Sequence, residues 1–237
     1  MRTIVFSDVH GEPSIIDAII EHSRFDPHAD RLVFAGDAVD IGRDPWGCLE
    51  LLDEVGAECL VGNHEYAAFI DYRIDDVPLT PSVLGRIEEN LTSGRWGLAA
   101  EADGALITHA GISSEFIADF TAHAGGDVAR FAAALNVQFR RAVALRGMAG
   151  GGVIEMGGPL WWRPDTGEMP LLGVTQIAGH TPREIVRSEG GVGCLAASGL
   201  HLVDPWVRGW GRRGFGLPVP VRYAVIGDGR VRVVDAG

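Results

Sequence analysis

The stretch Gly36-Asp37-Ala38-Val39-Asp40 places two carboxylates directly after a short apolar segment, residues 31–35. That segment has the length and composition of a buried strand, and Gly36 lets the backbone turn at its end. Open α/β sheets form their ligand crevice at the carboxyl ends of their strands. Because one carboxylate carries two oxygens, Asp37 could bind two cations at once. Taken alone, however, a Gly-Asp pair after a strand is most often only a turn.

The composition is that of an ordinary globular protein, with 237 residues of which 46% are hydrophobic and 22% are charged. A chain of this length can bury a substantial core. The formal net charge of −12 makes general binding to nucleic acids unfavourable, because like charges repel. Cys48, Cys59 and Cys194 lie in apolar segments without CxxC spacing, which argues against a disulfide framework or a thiolate zinc site.

Targeting and domain signals are sparse. Strand-like sequence begins by Thr3, and no apolar run reaches the length that spans a membrane. We therefore expect a cytoplasmic protein without a membrane partner. The chain contains no internal repeat or linker, so we expect one domain over residues 1–237 with a glycine-rich loop at about 147–158. No pattern specifies an oligomeric state.

The first 65 residues alternate strand and helix patterns. Strands are predicted at 3–6, 31–35 and 58–61, and helices from Pro13 onward and over 45–55. This alternation is typical of a parallel, doubly wound sheet. The later pattern predicts mostly helix over 66–100, a strand at 105–108, a long amphipathic helix over 127–146, a strand at 174–178 and a hairpin within 223–233.

Polar side chains follow the predicted strands. They are Asp8 and His10, Asp37 and Asp40, Asn63 and His64, His109, and His180. Carboxylate, imidazole and amide oxygen ligands without thiolate suit manganese, iron or zinc. One arrangement gives a first metal ion Asp8, His10 and Asp37, and a second ion Asp37, Asn63, His109 and His180. Two metals about 3.5–4 Å apart can activate a bridging water and clamp a phosphate for in-line attack.

His64 follows the predicted ligand Asn63 directly, so its ring can lie beside the metals without binding them. If Asp40 orients the ring and keeps it protonated, His64 could act as a general acid for a leaving alkoxide. The competing interpretations are a purely supporting role for His64, and an Asp40 side chain that only caps backbone amides in a turn.

The ordered motifs resemble those of the calcineurin-like metallophosphoesterases. They are Asp8-Val9-His10-Gly11, Gly36 to Asp40, Gly62-Asn63-His64-Glu65, His109-Ala110-Gly111 and Gly179-His180-Thr181. The resemblance implies a four-layer αββα sandwich in a single domain and hydrolysis of phosphate esters or anhydrides. It also implies two divalent metal ions, manganese above all with iron or zinc as alternatives, and the general-acid pair of His64 and Asp40.

The Gly-Asp-x-Val-Asp pattern is similar to the protein serine/threonine phosphatase branch of that family. The segment 160–164 resembles its Leu-Trp-x-Arg-Pro motif, which would aim Arg163 at a substrate phosphate. That branch usually carries arginines where this chain has Ile41 and Val61. Arg43 lies two residues late and could substitute, although bidentate phosphate binding depends on position.

Three functions stay open from the sequence. The first is a phosphatase for phosphoproteins or small phosphate monoesters. Because dinucleoside tetraphosphatases also lack the arginine before Gly-Asn-His, the second is hydrolysis of symmetrical dinucleoside tetraphosphates, with a nucleotide as the substrate. The third is a non-catalytic scaffold, although such proteins usually lose ligands or the acid histidine, and this chain has lost none.

Other residues have simpler explanations than binding. Arg163 could stack on the adjacent tryptophans, and Arg43 could form a surface pair with Asp44. The basic aromatic segment 206–213 could contact a nucleotide or a phosphopeptide, but such segments more often pack on a rim. The glycine-rich loop could close over substrate. His201 and Asp204, in the final third, match neither branch and receive no role.

Overall fold

The computed structural model describes residues 1–72, 74, 78–116, 124–147, 152–155, 157–164, 168–171, 173–182, 195–196, 198–205 and 221–236. Its strands are β1 (Arg2–Phe6), β2 (Asp30–Phe34), β3 (Glu58–Cys59), β4 (Ala99–Ala102), β5 (Ala105–Thr108), β6 (Thr175–Ala178), β7 (Leu200–Leu202), β8 (Val221–Gly227) and β9 (Arg230–Ala236). Its helices are α1 (Pro13–Ser23), α2 (Pro45–Glu54), α3 (Asn63–Phe69), α4 (Pro81–Thr92) and α5 (Val128–Ala144), with a short 3₁₀ turn at Gly152–Ile154.

The first sheet has the strand order β3-β2-β1-β8-β9. Its first three strands are parallel, as the alternating pattern predicts, while β8 and β9 run antiparallel. The parallel arrangement predicted for the first 65 residues is therefore found in β1, β2 and β3, and the antiparallel strands come from the end of the chain. The predicted hairpin closes through Asp228 and Gly229, whose φ angles of 52° and 67° are those of a two-residue type I′ turn.

The second sheet has the order β4-β5-β6-β7, and the prediction of helix up to residue 100 is wrong at β4. The sequence of β4 is rich in alanine, which favours helix. Tertiary contacts decide otherwise. β4 pairs antiparallel with β5, and Asn136 on α5 accepts hydrogen bonds from the N–H groups of Leu98 (2.7 Å) and Ala99 (3.1 Å).

The two sheets pack face to face, with helices on their outer faces. In β1 the side chains of Ile4 and Phe6 belong to the core cluster shared with the helices. The intervening Val5 belongs to a separate cluster that joins the two sheets, and so does Ile107 of β5. Alternate residues of one strand thus face different layers. The four-layer αββα fold expected from the motifs is confirmed.

Parts of the chain named above lie outside the described residues. They are the basic aromatic segment 206–213, Cys194, and residues 148–151 and 156 of the glycine-rich loop. Among the helices that the structure does describe, none has the length and apolarity needed to cross a membrane.

Candidate metal centre

The carboxyl ends of five strands converge on one buried cluster. It contains all eight predicted metal-binding and catalytic residues, namely Asp8, His10, Asp37, Asp40, Asn63, His64, His109 and His180, and none of them is more than 8% exposed. The loops after β1, β2, β5 and β6 and the first turn of α3, which follows β3, deliver them. So much polar surface is buried only where the groups satisfy one another or bind an ion.

Asp37 lies at the centre of the cluster. Its Oδ2 is 3.4 Å from His109 Nε2 and 3.7 Å from Nε2 of both His10 and His64. Its Oδ1 accepts the backbone N–H of His64 at 3.1 Å. One carboxylate therefore faces imidazoles from two sides, which is the arrangement that a shared ligand requires.

One group of possible ligand atoms comes from His10, Asp37 and His64, and these atoms lie within 4.8 Å of one another. Asp8 Oδ1 is 3.8 Å from His10 Nε2, so the structure brings together the first predicted ligand set. His64, predicted as an acid and not as a ligand, lies in the same group.

The second group contains Asp37, His109 and His180, again within 4.8 Å. His109 Nε2 is 2.8 Å from Asn63 Oδ1 and 3.3 Å from His180 Nδ1. All four residues of the second predicted ligand set are thus adjacent.

The donor atoms fit a positive ion. His109 Nδ1 lies 2.9 Å from the Ala35 carbonyl, which can only accept, so Nδ1 carries the hydrogen. In a neutral His109 ring, the Nε2 lone pair then points towards the oxygens of Asn63 and Asp37. These electron-rich atoms repel one another unless a cation or a proton lies between them. His10 Nδ1 makes the same kind of contact to the Val39 carbonyl at 3.2 Å. Such backbone partners orient metal-binding imidazoles.

The pKa shifts show how strongly the centre attracts positive charge. Burial lowers the pKa of His109, but the Asp37 carboxylate outweighs burial and raises it to about 9. Burial likewise opposes ionisation of Asp37, yet the imidazoles of His109 and His64 hold its pKa well below its usual value. Burial, His109 and the Arg163 guanidinium keep the pKa of His180 well below its usual value, so its ring is neutral, the form that binds metals.

Burial is the largest influence on the pKa values of Asp8 and His10. Burial and the Asp37 carboxylate raise the pKa of Asp8, while burial lowers that of His10. Both shifts favour the neutral forms of Asp8 and His10. A cation bound beside them would favour the charged carboxylate of Asp8, so the pair suits a cation.

His64 and Asp40 form a close pair at the edge of the cluster. His64 Nδ1 is 2.8 Å from Asp40 Oδ2, and its Nε2 points towards Asp37. Burial lowers the pKa of His64, but Asp37 and then Asp40 overcome it and raise the value to about 9. The ring can therefore hold a proton on the nitrogen that faces the centre.

The two predicted phosphate-binding arginines are placed differently. Arg163 Nη1 donates to the His180 carbonyl at 2.7 Å, which fixes its guanidinium beside the cluster. Arg43 is exposed. Burial raises the pKa of Glu12, and the positive charge of Arg43 opposes that shift. The carboxylate of Asp44 caps α2 by accepting the N–H of Gly47 at 2.8 Å.

The backbone around the centre is strained. Asp8, His10, Asp37, Asp40 and His180 have φ angles of 55°, 43°, 65°, 66° and 62°, in the left-handed region that costs of order 1–3 kcal/mol at a non-glycine residue. Close approach also requires glycine, because a Cβ on Gly62 would overlap Asp37 Oδ1 and the Asp37 backbone nitrogen, and one on Gly179 would overlap Asp8 Oδ2.

Comparison with known proteins identifies the family of the chain. Residues 1–200 match the family model of the calcineurin-like phosphoesterases. Serine/threonine-protein phosphatase 1 of Salmonella typhimurium is 44% identical over 64 residues, which cover 27% of this chain and 30% of that protein. A symmetrical bis(5'-nucleosyl)-tetraphosphatase of Actinobacillus succinogenes is 34% identical over 67 residues, covering 27% of this chain and 24% of that protein. The aligned stretches thus span less than a third of either relative.

Among solved structures, a cold-active protein-tyrosine phosphatase of a psychrophilic Shewanella species has the same fold. The two chains align with a TM-score of 0.63 at 17% identity, covering 98% of this chain and 77% of the other. At this identity the likeness concerns the fold alone.

Glu65, for which the motifs predicted no role, lies under the centre. Its fully buried carboxylate accepts backbone N–H groups of Ala38 (2.6 Å), Gly62 (2.9 Å), Asp37 (3.0 Å) and Val39 (3.2 Å). One side chain therefore ties the loop after β2 to the loop after β3. The sequence feature that could have indicated this role is the position of Glu65 as the last residue of the Gly-Asn-His-Glu motif.

We expect Glu65→Gln to lower the free energy of unfolding by about 2–4 kcal/mol, because an amide cannot replace all of these charge-assisted bonds. Burial and the Asp37 charge raise the pKa of Glu65 to about 7, so urea unfolding should be measured at about pH 8 with EDTA present. The exposed Glu54→Gln variant is the control. An unchanged midpoint in the Glu65 variant would refute this bridging role.

Proposed function

The chain belongs to the calcineurin-like phosphoesterase family, and we propose that it is a metal-dependent hydrolase of phosphate monoesters, either a phosphoprotein or a small phosphorylated molecule. The motif-based prediction of the family is confirmed by the match over residues 1–200. The observation that carries the proposed activity is the Asp37 carboxylate, which belongs to two groups of possible ligand atoms.

We propose that six residues hold two divalent metal ions. They are Asp8, His10, Asp37, Asn63, His109 and His180, with Asp37 common to both ions. Such ions, with manganese preferred to iron or zinc, would lower the pKa of a bound water and neutralise charge on the phosphate. The carbonyls of Ala35 and Val39 support the arrangement, because they fix the rings of His109 and His10 with Nε2 towards the centre.

His64 is the proposed general acid. Its Nδ1–H donates to Asp40, and its Nε2 faces the cluster, so a proton there can pass to the leaving alkoxide. Asp40 holds the ring in position and favours its charged form. Proton transfer of this kind contributes about 10²–10⁴-fold to a rate.

Arg163 is the proposed phosphate-binding group of the site. The planar guanidinium carries several donors in one plane, which suits two oxygens of a phosphate. Its bond to the His180 carbonyl holds it beside a proposed metal ligand. Arg43 is a second candidate, but its exposed position places it outside the buried cluster.

A second candidate function is hydrolysis of dinucleoside tetraphosphates. It is favoured by the partial match to the Actinobacillus succinogenes tetraphosphatase, 34% identical over 67 residues. A non-catalytic scaffold is disfavoured by the retention of every predicted ligand and of the acid pair.

We further propose that residues 1–237 form one domain. The buried free thiols of Cys48 and Cys59 support a reducing, cytoplasmic setting.

Metal removal is the first test. EDTA should abolish hydrolysis of p-nitrophenyl phosphate, and Mn²⁺ should restore it. In Asp37→Asn both groups of donor atoms lose their shared charge, so the variant should retain fewer metal ions by elemental analysis after gel filtration. The exposed Asp17→Asn variant is the control. EDTA-resistant turnover, or full metal content in the Asp37 variant, would overturn the proposed centre.

The acid role of His64 predicts a dependence on the leaving group. His64→Asn should slow hydrolysis of phenyl phosphate, whose leaving group needs a proton, by about 10²–10⁴-fold. The loss should be much smaller for p-nitrophenyl phosphate, because nitrophenolate leaves without a proton. His28→Asn, at an exposed histidine, should change neither rate. Equal losses on both esters would exclude proton donation.

Phosphate binding by the arginines should appear in KM. We expect Arg163→Ala to raise KM for phenyl phosphate by about tenfold or more, since a charge-assisted hydrogen bond is lost. Arg43→Ala tests the second candidate in the same assay, and Arg130→Ala on the exposed face of α5 is the control. An arginine whose removal leaves KM unaltered does not bind the phosphate.

A further inference from the structure

A buried amide side chain ties the loop that carries His109 to the strand that leads to His180. Gln176 lies in β6 and is 1% exposed. Its Oε1 accepts the backbone N–H of Ile112 at 2.8 Å, and its Nε2 donates to the Ile112 carbonyl at 3.1 Å. A buried amide is costly unless it makes such bonds. Gln176 makes both of them with a single residue of the segment 109–112, which we call the His109 loop.

The register of the second sheet shows how far the His109 loop turns back. Gln176 lies opposite Leu106 in the parallel pairing of β5 with β6. Its side chain nevertheless holds Ile112, six residues further along the chain. Leu106 and Ile112 belong to the same core cluster, the one shared with the helices. The chain therefore leaves the end of β5 at His109 and returns over the helix-facing side of the sheet to reach Gln176.

The His109 loop is held at both of its ends by β6 or the residue that follows it. The carbonyl of His109 accepts the N–H of Gly179, directly after β6, at 2.7 Å. At the other end, Gln176 holds Ile112. Among the described residues, Gln176 is the one side chain that another element contributes to the backbone of this loop. Since β6 also leads to His180, whose Nδ1 lies 3.3 Å from His109 Nε2, one strand sets both imidazoles.

We propose that Gln176 is a positioning residue for the second metal ion, the one assigned above to His109 and His180 together with two further ligands. By fixing both the N–H and the carbonyl of Ile112, it sets the path of the His109 loop and so the spacing of the two imidazoles. The residues of a site must be held to within about 0.5 Å of the productive geometry. The inference rests on the proposed function, because it concerns the metal centre of that same phosphoesterase.

Binding of Mn²⁺ to the whole protein, after removal of metal with EDTA and of EDTA by gel filtration, tests this role without catalysis. Gln176→Met keeps the length of the side chain and removes both hydrogen bonds. It should weaken binding of one Mn²⁺ ion by about tenfold or more and leave the other, proposed at Asp8, His10 and Asp37, unchanged. Electron paramagnetic resonance can follow the titration, because two neighbouring Mn²⁺ ions give an exchange-coupled spectrum. That spectrum should appear at higher Mn²⁺ concentration in the variant.

Two further variants separate positioning from general destabilisation. Ile19→Val trims a fully buried side chain of α1, so it should lower the urea midpoint without changing either Mn²⁺ affinity. Gln176→Glu keeps the bond from the Ile112 N–H and loses only the one to the carbonyl. Its loss of affinity should fall between those of the wild type and Gln176→Met, at the same ion, and it provides the test if Gln176→Met does not fold. Tighter binding of both ions by Gln176→Glu would count against positioning, because it would reflect the added charge.

The outcomes distinguish this inference from the proposed function. A lower urea midpoint in Gln176→Met with both Mn²⁺ affinities unchanged, or with equal weakening of both, would overturn the positioning role and leave the phosphoesterase standing. Selective weakening of one ion, in a protein whose wild type hydrolyses neither phenyl phosphate nor diadenosine tetraphosphate, would support Gln176 and refute the hydrolase. A wild type that binds fewer than two Mn²⁺ ions would refute both.

Discussion

The structure depends on one buried negative charge. Asp37 is 1% exposed, and imidazole nitrogens of three histidines lie within 3.7 Å of its Oδ2. A carboxylate in such a place is stable only with positive charge beside it. That requirement explains the raised pKa values of His109 and His64 and the suitability of the cluster for divalent metal ions. The loops, the helix α3 and the sheet edges are arranged around it.

Bringing the loops this close has a conformational cost. Several of the cluster residues adopt left-handed backbone angles, and the loops approach so closely that Gly62 and Gly179 have no room for a side chain. Glu65 offsets part of the cost, because its four backbone hydrogen bonds join the loop that carries Asp37 to Gly62, directly before the helix that carries His64. Strain held by buried, charge-assisted hydrogen bonds is typical of a preorganised site.

The elements that sequence patterns predicted correctly are those with strong local signals. β5 has the predicted bounds, Ala105–Thr108, and α5 follows the apolar spacing of Phe131, Leu135 and Phe139. β4 was predicted wrongly because its alanines favour helix, and only pairing with β5 and the Asn136 side chain make it a strand. The first 65 residues predict their own parallel strands, but the antiparallel β8 and β9 come from the far end of the chain.

The sequence by itself determined the family and the identity of the candidate ligands, because each motif needs only a few residues after a strand. It did not reveal the role of Glu65 or the cavity of about 630 Å³ lined by Tyr66, Ile154 and Trp161. The motif Gly-Asn-His-Glu contains Glu65 but does not show which backbone groups its carboxylate binds. The cavity joins α3 to Ile154 and Trp161, about ninety residues later in the chain. Contacts between residues so far apart are decided by packing of the layers, and only the tertiary structure shows them.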